Sequence, residues 1–339
     1  MLFRSLLLLK ASQMVKKKNR RRITPTTPSR QFKIENYGDN DCWIHFRFFK
    51  QDLLQLRLLL DIPDSITLSN GSRVDGITCF CVFLKRLCYP NRLFDLVDFF
   101  GLEYSKISRI CSFMLNYINE KWKHLLDFPD HLLNQNYISM AKDKLGLDHI
   151  IIGFIDGTVR FIPRPTDYQR LMYNGHKRHH ALKYQSCILW NGVIVHLSKV
   201  FEGKKHDIAI LRESGLINKL EQQQERYLST RLFVYGDPAY KVGRHILSPF
   251  KSQRNTEEEN LFNTCMSSYR ICVEWGFGKV IKDWAFLDFY KNLKLELQQV
   301  PTLYTVGVLL SNIRSCYYSN QTAMTFDIPC PTIEEYLNK

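Results

Sequence analysis

The hydrophobic pattern of the chain changes once, near residue 147, from a helical period to short runs typical of strands. Between about Asp41 and His131, leucine and aromatic residues recur at three- and four-residue intervals, with glycine or proline at most joints. From about Leu147, β-branched residues fill runs such as HIIIGFIDGTVRFI. A chain of 339 residues has room for two domains. The pattern therefore predicts a small all-α domain followed by an α/β domain.

The sequence after residue 147 predicts a mixed sheet. Two apolar runs, ALKYQSCILW and VIVHLSKVF, are joined by Asn-Gly, the strongest short hairpin signal. The expected order is three strands, a helix, two strands and a helix, which is close to that of an RNase H-like fold. After the hairpin, the sequence predicts a helix at Ile208 to Glu225, a strand LFVYGD, a strand at Ile246 to Phe250, a helix at Asn260 to Trp284 and a covering helix at Leu303 to Tyr317.

Four segments follow from these patterns. Residues 1–36 are expected to form a disordered basic tail, because KKKNRRR and TPTTP cannot bury enough apolar surface to fold. The tail is either a nuclear import signal, a phosphate-binding arm or a solvated segment, and Met14 is an alternative start. The predicted domains are a helical domain at 37–146 and a nuclease-like α/β domain at 147–320, followed by a C-terminal tail at 321–339.

Two segments of the helical domain have the dimensions of a helix-turn-helix. Arg92–Phe100 and Ser105–Tyr117 are separated by four residues that begin with Gly101. Ser105 is expected to cap the second helix. Its inward positions would be Ile107, Ile110 and Met114, and its outward positions Lys106, Arg109 and Ser112, which suit contact with a DNA major groove. A helical bundle without DNA contact explains the same spacing.

The charge indicates a polyanionic partner. The formal net charge is +14, and nucleic acid is the commonest partner of such a chain. No apolar stretch approaches the ~20 residues that a membrane-spanning helix needs, so a soluble intracellular protein is expected. The ten cysteines include no CxxC pair, which argues against a zinc ribbon and favours buried thiols.

Two aspartates stand at strand positions typical of a metal site. Asp156 lies in the first predicted strand and Asp237 ends the fourth, 81 residues later. The two strands are neighbours in an RNase H-like sheet. Burying two carboxylates together is costly unless a cation neutralises them, and magnesium favours carboxylate oxygens. Either aspartate alone is also explained as a turn residue that binds its own backbone.

A third acid is expected on the long helix near the end of the domain. Arg270 and Glu274 are four residues apart and share a helical face, which Lys282 continues. An ordinary surface ion pair is the alternative. Three carboxylates would hold two ions, of which one activates water and the other stabilises the leaving 3′ oxygen of a phosphodiester.

Basic and histidine residues lie between the two aspartates. Lys177, Arg178 and Lys183 in YNGHKRHHALKYQ are expected to line a cleft and bind DNA phosphates, although a charged hairpin entrance is the alternative. His206 and Asp207 begin a helix, where Asp207 is either an accessory acid or an N-cap.

These blocks resemble the PIF/Harbinger superfamily of DDE transposases and the Harbinger-derived nucleases that hosts have retained. The similarity covers most of Phe46 to Tyr317, and its specificity comes from the order of the blocks. One departure is Ser198-Lys199-Val200, where the family has a Gly-Pro pair. The matching blocks are LCYPNRLFDLVDFFGLEYSKISRI, IDGT, YNGHKRHHALKYQ, FEGKKHDIAILRESGL, YGDPAY and FNTCMSSYRICVEWGFGKVIKDW.

The resemblance implies that Asp156, Asp237 and Glu274 are the catalytic acids of a DNA endonuclease or transposase. It also implies Mg²⁺ or Mn²⁺ as cofactor, a nuclear location with the cytoplasm as an alternative, and a separately encoded Myb-like DNA-binding partner. The oligomeric state stays open, with a homo-oligomer among the options. A rival interpretation is a domesticated DNA-binding or scaffold protein without turnover, and a further one is a phosphohydrolase of small substrates.

Overall fold

The computed structural model describes residues 32–145, 149–227, 230–252 and 254–339. The basic run at 16–22, Met14 and the predicted boundary at 146–147 lie outside the described residues. The chain divides into two compact units: residues up to Trp122 together with Ile281–Gly307, and Lys123–Val280 together with Val308–Lys339. Their limits differ from the predicted boundaries, since residues 123–145 belong with the second unit.

The first unit consists mainly of helices. Phe32 and Ile34, at the end of the predicted tail, are buried in it. Short 3-10 turns occupy Ile34–Asn36, Ala285–Asp288 and Tyr290–Asn292. Its elements are α1 (Asp39–Phe46), α2 (Lys50–Leu59), β1 (Ser65–Thr67), β2 (Arg73–Asp75), α3 (Gly76–Cys88), α4 (Asp95–Phe100) and α5 (Tyr104–Trp122), together with parts of two later helices.

Helix α3 forms the centre of the first unit. Asp75 caps its first turn, since the Asp75 carboxylate accepts a hydrogen bond from the Thr78 backbone N–H at 3.0 Å. The helix is apolar on nearly every side, and eleven of its thirteen residues are buried. Its cysteines are free buried thiols, as the apolar run predicted.

The two segments predicted as a helix-turn-helix are helices α4 and α5. Gly101 adopts a left-handed conformation (φ 64°) between them, which glycine allows without strain. Ile107, Ile110 and Met114 are fully buried, which confirms the predicted inward face. The prediction that Ser105 caps α5 is wrong, because the helix already begins at Tyr104.

The second unit contains a mixed sheet with helices. Short 3-10 turns occupy Lys123–Leu126 and Asp130–Leu132. Its elements are α6 (Gln135–Asp143), β3 (Ile150–Phe161), α7 (Gln169–Met172), β4 (Tyr173–Asn174), β5 (His179–Leu189), β6 (Ile194–Leu197), β7 (Phe201–Glu202), α8 (Asp207–Ser214), α9 (Leu216–Arg226), β8 (Leu232–Tyr235), β9 (Ile246–Leu247), α10 (Glu257–Asp283), α11 (Val300–Tyr318), α12 (Gln321–Phe326) and α13 (Ile333–Leu337), with α10 and α11 continuing into the first unit.

The sheet places the two candidate strands side by side. Strand β3 pairs antiparallel with β5 and parallel with β8, while β6 pairs antiparallel with β5 and β9 parallel with β8. The expected adjacency of the strand with Asp156 and the strand before Asp237 is therefore confirmed. The hairpin at Asn191 and Gly192 is present as well, with Gly192 at φ 76°.

Two predicted segments differ in the structure. The helix expected at Ile208 to Glu225 is divided into α8 and α9 by Gly215, which has φ 82°. The segment 321–339, expected as a tail, forms two helices with buried residues, and Tyr336 is completely buried. The shortness of the two helices, six and five residues, hid this role, because neither is long enough to show a helical period.

Polar groups of the C-terminal part close one edge of the sheet. The Asn312 side chain of α11 accepts a hydrogen bond from the Ile194 N–H at 3.0 Å and donates one to the Ile194 carbonyl at 2.8 Å. On the same strand the Val195 carbonyl accepts from the Phe128 N–H. These bonds satisfy the backbone of edge strand β6.

Burial of His196 in β6 predicts a loss of stability in acid. Burial lowers the pKa of His196 to about 4, against 6.5 for the ordinary side chain. Between these values the unfolded chain binds a proton that the folded chain does not, so stability falls as pH falls through this window. At pH 4.5 we expect a cost of about 2 to 3 kcal/mol relative to pH 7. The measurement is urea unfolding of wild type and His196→Gln.

The glutamine variant should show a smaller loss between pH 7 and pH 4.5 than the wild type. His176→Gln is the matched control, since His176 is exposed. An equal pH dependence in wild type and His196→Gln would contradict the burial argument.

Candidate active site

Asp156 stands in the middle of strand β3 with both carboxylate oxygens engaged. Its Oδ1 accepts a hydrogen bond from the Gly157 N–H at 2.7 Å. Its Oδ2 accepts one from Arg270 Nη1 of helix α10 at 2.8 Å. Both side chains of this ion pair are mostly buried, with 22% of Asp156 and 24% of Arg270 exposed. The long helix therefore brings a cation to the strand that carries the first predicted acid.

Burial dominates the titration of Asp156. It raises the pKa of the carboxyl to about 6, and the carboxylates of Asp237 and Asp207 act in the same direction. The Gly157 N–H and the Arg270 guanidinium oppose the rise without cancelling it. The loss of water around this carboxylate therefore outweighs the help that the N–H and the guanidinium give to its charged form.

Asp237 lies two residues beyond the end of strand β8, after Gly236. Its Oδ1 accepts a hydrogen bond from the Ala239 N–H at 3.0 Å, and its carbonyl accepts from the Tyr240 N–H at 3.1 Å. The side chain thus closes a tight turn, as the turn interpretation expected. Because β8 is the parallel neighbour of β3, this turn also places the acid close to Asp156.

Asp207 approaches the same strand from the other face of the sheet. It opens helix α8, where His206, not Asp207, is the N-cap residue. A Cβ atom added to Gly157 would lie 2.6 Å from Asp207 Oδ1. Side chains alternate along a strand, so position 157 faces away from Asp156. The absence of a side chain at Gly157 therefore makes room for a second acid.

Lys183 of strand β5 holds Asp207 in place. Its Nζ lies 2.8 Å from Asp207 Oδ1 and donates a hydrogen bond to the Lys205 carbonyl at 2.8 Å. Only 10% of the Lys183 side chain is exposed. Lys183 was predicted to line a phosphate-binding surface, but the structure places it inside, as the counter-ion of an acid.

A buried hydrogen bond that sequence reasoning missed lies among the three aspartates. Gln185 Nε2 donates to the Tyr240 hydroxyl at 2.9 Å, and both side chains are fully buried. Burial raises the pKa of the Tyr240 phenol well above its usual range, and the carboxylates of Asp207 and Asp156 act in the same direction. The signal in the sequence was the tyrosine of YGDPAY, three residues after Asp237.

Glu274 is exposed on helix α10, one turn after Arg270. The helix packs on β5, since a Cβ atom on Gly276 would lie 2.5 Å from Ile188 Cδ1. Arg270 and Glu274 thus belong to a helix on the Asp156 side of the sheet. Among the described residues, no three His, Cys, Asp or Glu side chains are arranged to hold one ion.

The remaining predicted contact residues lie in different places. Lys177 and Arg178 are exposed at the turn between β4 and β5, and His206 is exposed before α8. Lys106 and Arg109 are half-buried on α5, and Lys282 is exposed near the end of α10. The last three belong to the first unit and the others to the second.

The donor set fits a hard divalent cation. Asp156, Asp207 and Asp237 offer carboxylate oxygens, the ligands that Mg²⁺ and Mn²⁺ prefer. The sequence that contains these aspartates was compared with known protein families.

Residues 155–312 match the family model of the DDE superfamily endonucleases.

The matched region contains Asp156, Asp207, Asp237, Arg270 and Glu274. The match indicates a transposase-like nuclease domain, for which DNA is the substrate and divalent metal ions the cofactors. No curated protein and no solved structure matches the chain. In the described part of the chain, no helix has the length and apolar character needed to cross a membrane.

The contact between Gly157 and Asp207 predicts a coupled effect on stability. Gly157→Ala should reduce the free energy of unfolding by about 1 to 3 kcal/mol, because the added methyl group displaces the Asp207 carboxylate. In an Asp207→Ala background the same substitution should cost less, by about 1 kcal/mol or more. The measurement is a double-mutant cycle by denaturant unfolding.

Gly153→Ala provides the control for this cycle. Its added Cβ would overlap the Ile188 carbonyl, so its cost should be the same with and without Asp207. Additive effects of Gly157→Ala and Asp207→Ala would contradict the described approach of the two residues.

Proposed function

We propose that the second unit is an RNase H-like DNA endonuclease of the Harbinger type that cuts phosphodiester bonds with divalent metal ions. The main support is that Asp156 of β3 and Asp237 of the β8 turn lie near each other, with Asp207 of α8 at the other face of β3, within a region that matches DDE endonucleases. The sheet order, with an antiparallel three-strand set extended by two parallel strands, suits that fold.

Asp156, Asp237 and Glu274 are proposed as the metal ligands, with Asp207 as an accessory acid. Bound Mg²⁺ or Mn²⁺ would supply Lewis acidity for an in-line attack by water on the scissile phosphate. The protein's own part is to hold the acids in position. Gly157 orients Asp156 through its N–H, and Lys183 orients Asp207.

Glu274 is included because it follows Arg270 by one helical turn. The Arg270 side chain reaches Asp156, so a glutamate at the next turn of α10 has a short path to the same region. The Glu274 side chain is exposed, so in the described structure no buried counter-ion competes with a metal ion for its carboxylate. Asp207 in contrast has Lys183 as a fixed counter-ion.

The first test is metal-dependent nicking of supercoiled DNA. We expect Asp156→Asn, Asp237→Asn and Glu274→Gln each to lower the nicking rate by about a hundredfold or more, because each removes a proposed ligand charge without changing its shape. Glu258→Gln is the matched control, an exposed acid in the first turn of the same helix. Its rate should equal that of the wild type.

Two outcomes separate the alternatives. A wild-type protein that binds DNA and never nicks it, with either metal ion, would favour the domesticated DNA-binding protein. If Glu274→Gln cuts at the wild-type rate while Asp207→Asn does not cut, Asp207 replaces Glu274 as the third ligand.

Arg270 is proposed as the counter-ion of Asp156 in the metal-free protein. A metal ion that approaches Oδ2 of Asp156 meets the Arg270 guanidinium there, and repulsion between the two cations favours displacement of the guanidinium. The released guanidinium has the planar donor fork that binds phosphate. DNA would therefore draw Arg270 away from Asp156 and favour metal binding.

This role predicts an increase in metal affinity when Arg270 is removed. In the absence of DNA, Arg270→Gln should bind Mn²⁺ about tenfold more tightly than the wild type, because one competing charge at the acid is gone. Arg270→Lys should stay near the wild-type value. Isothermal titration calorimetry measures both.

A lower Mn²⁺ affinity of Arg270→Gln, with an unchanged melting temperature, would show that Arg270 supports the metal site instead of competing with it.

The nuclear location, the Myb-like partner, homo-oligomer formation and DNA contact by Lys106, Arg109 and Lys282 rest on the sequence and its resemblance, and they stay predictions.

A further inference from the structure

The β4–β5 hairpin carries aromatic rings on both of its faces. Tyr173 and His180 are cross-strand partners, with ring centroids 5.5 Å apart and an interplanar angle of 68°. On the other face the rings of Phe161 and His179 lie 4.9 Å apart at 35°. Tyr173 is 42% exposed, so its ring is accessible to a ligand. We call the Tyr173–His180 pair the hairpin platform.

Positive charge surrounds the hairpin platform. Arg164 is exposed, and its charge together with burial lowers the pKa of His180, which shows that it lies nearby. Lys177 and Arg178 are exposed at the turn, and Arg170 is exposed on the short helix before β4. The sequence has no acidic residue from 168 to 201. The surface is thus both cationic and aromatic.

The hairpin is tied to the loop that leads to Asp207. Asn174 Nδ2 donates a hydrogen bond to the Gly203 carbonyl at 2.7 Å. Glycine is required at 203, because a Cβ atom there would overlap the backbone carbonyls of Met172 and Ala181. Along β5, Lys183 follows His180 by three residues and pairs with Asp207. Side chains alternate along a strand, so His180 lies on the Asp156 face and Lys183 on the other. His180 precedes Ser186, the cross-strand partner of Asp156, by six residues, so the platform lies roughly 20 Å along the strand from that acid.

We propose that the hairpin platform stacks an unpaired DNA base a few nucleotides from the bond that the endonuclease cuts. This inference rests on the proposed function and adds the class of substrate, a duplex with an opened or flipped nucleotide. Aromatic side chains stack on the π-face of any base, which is accessible only when the base leaves the duplex stack. The flanking arginine and lysine residues bind the phosphates on either side.

The surface chemistry favours nucleic acid over a protein partner. Protein interfaces centre on apolar contacts with depleted charge. Here the exposed ring is flanked by cations and lies on the same face of the sheet as Asp156, which is proposed to act on a phosphodiester. The distance of roughly 20 Å to the Asp156 position corresponds to a few nucleotides along a strand, and both places lie on one face of the sheet, so one DNA segment can reach both.

The test compares two DNA substrates in EDTA, where no cutting occurs. One is a forked duplex with three unpaired nucleotides at its end, and the other is the same duplex fully paired. We expect the full-length wild type to bind the fork about tenfold more tightly. Tyr173→Ala should remove that preference and keep the affinity for the paired duplex, whereas Tyr173→Phe should retain it, because only the ring is needed.

A charge control distinguishes stacking from phosphate binding. Lys177→Gln should weaken the binding of both substrates by the same factor and leave the fork preference unchanged. A second measurement needs no variant: 2-aminopurine in the unpaired segment should lose fluorescence when the wild type binds, because it stacks on a ring.

Equal binding of the fork and the paired duplex by the wild type would overturn the proposal, as would unquenched 2-aminopurine in the bound complex. Equal loss of affinity for both substrates in Tyr173→Ala would also overturn it. Because these measurements contain no metal ion, failure of the nuclease proposal appears separately, as a wild type that prefers the fork and never cuts it.

Discussion

The burial of the Asp156 carboxylate is the constraint on which the second unit depends. A strand in the middle of a sheet offers little water to a charge, so the protein must provide compensation. One N–H and one guanidinium do so in part, and the raised pKa of Asp156 shows how incomplete that compensation is. Helix α10 supplies Arg270 as the counter-ion of Asp156. Strand β5 supplies Lys183 as the counter-ion of Asp207, and the missing side chain of Gly157 leaves space for Asp207 beside β3.

Much of this arrangement could be predicted from the sequence, because its signals are local. Apolar runs with β-branched residues located β3, β5 and β8, and the Asn-Gly turn located the hairpin. Once the strand order was expected, Asp156 and Asp237 had to be neighbours, and they are. The inward face of α5 followed from helical spacing in the same way. The assignment of catalytic roles came from resemblance, and the matched family covers only residues 155–312.

The missed features depend on contacts between residues distant in sequence. Lys183 looked like a surface cation in a basic run, and only the fold shows that Asp207 meets it. The sequence around Gly157 does not show why a glycine is needed there. The residue that occupies the space beside it, Asp207, is fifty positions away (207 − 157). The last nineteen residues (321–339) looked like a tail because their buried side chains, such as Tyr336, are few and separated. Burial of this kind follows from packing and has no period that a pattern can detect.

The bonds between Asn312 and Ile194 have a consequence for the order in which the domain can form. At this sheet edge the Asn312 side-chain amide bonds Ile194, beside the Phe128 N–H that bonds the Val195 carbonyl. Helix α11 lies more than a hundred residues beyond β6 in the chain, so a ribosome completes the strand long before its cover exists. Until α11 is made, the backbone groups of Ile194 lack this partner, and unpaired strand edges of that kind promote association between chains.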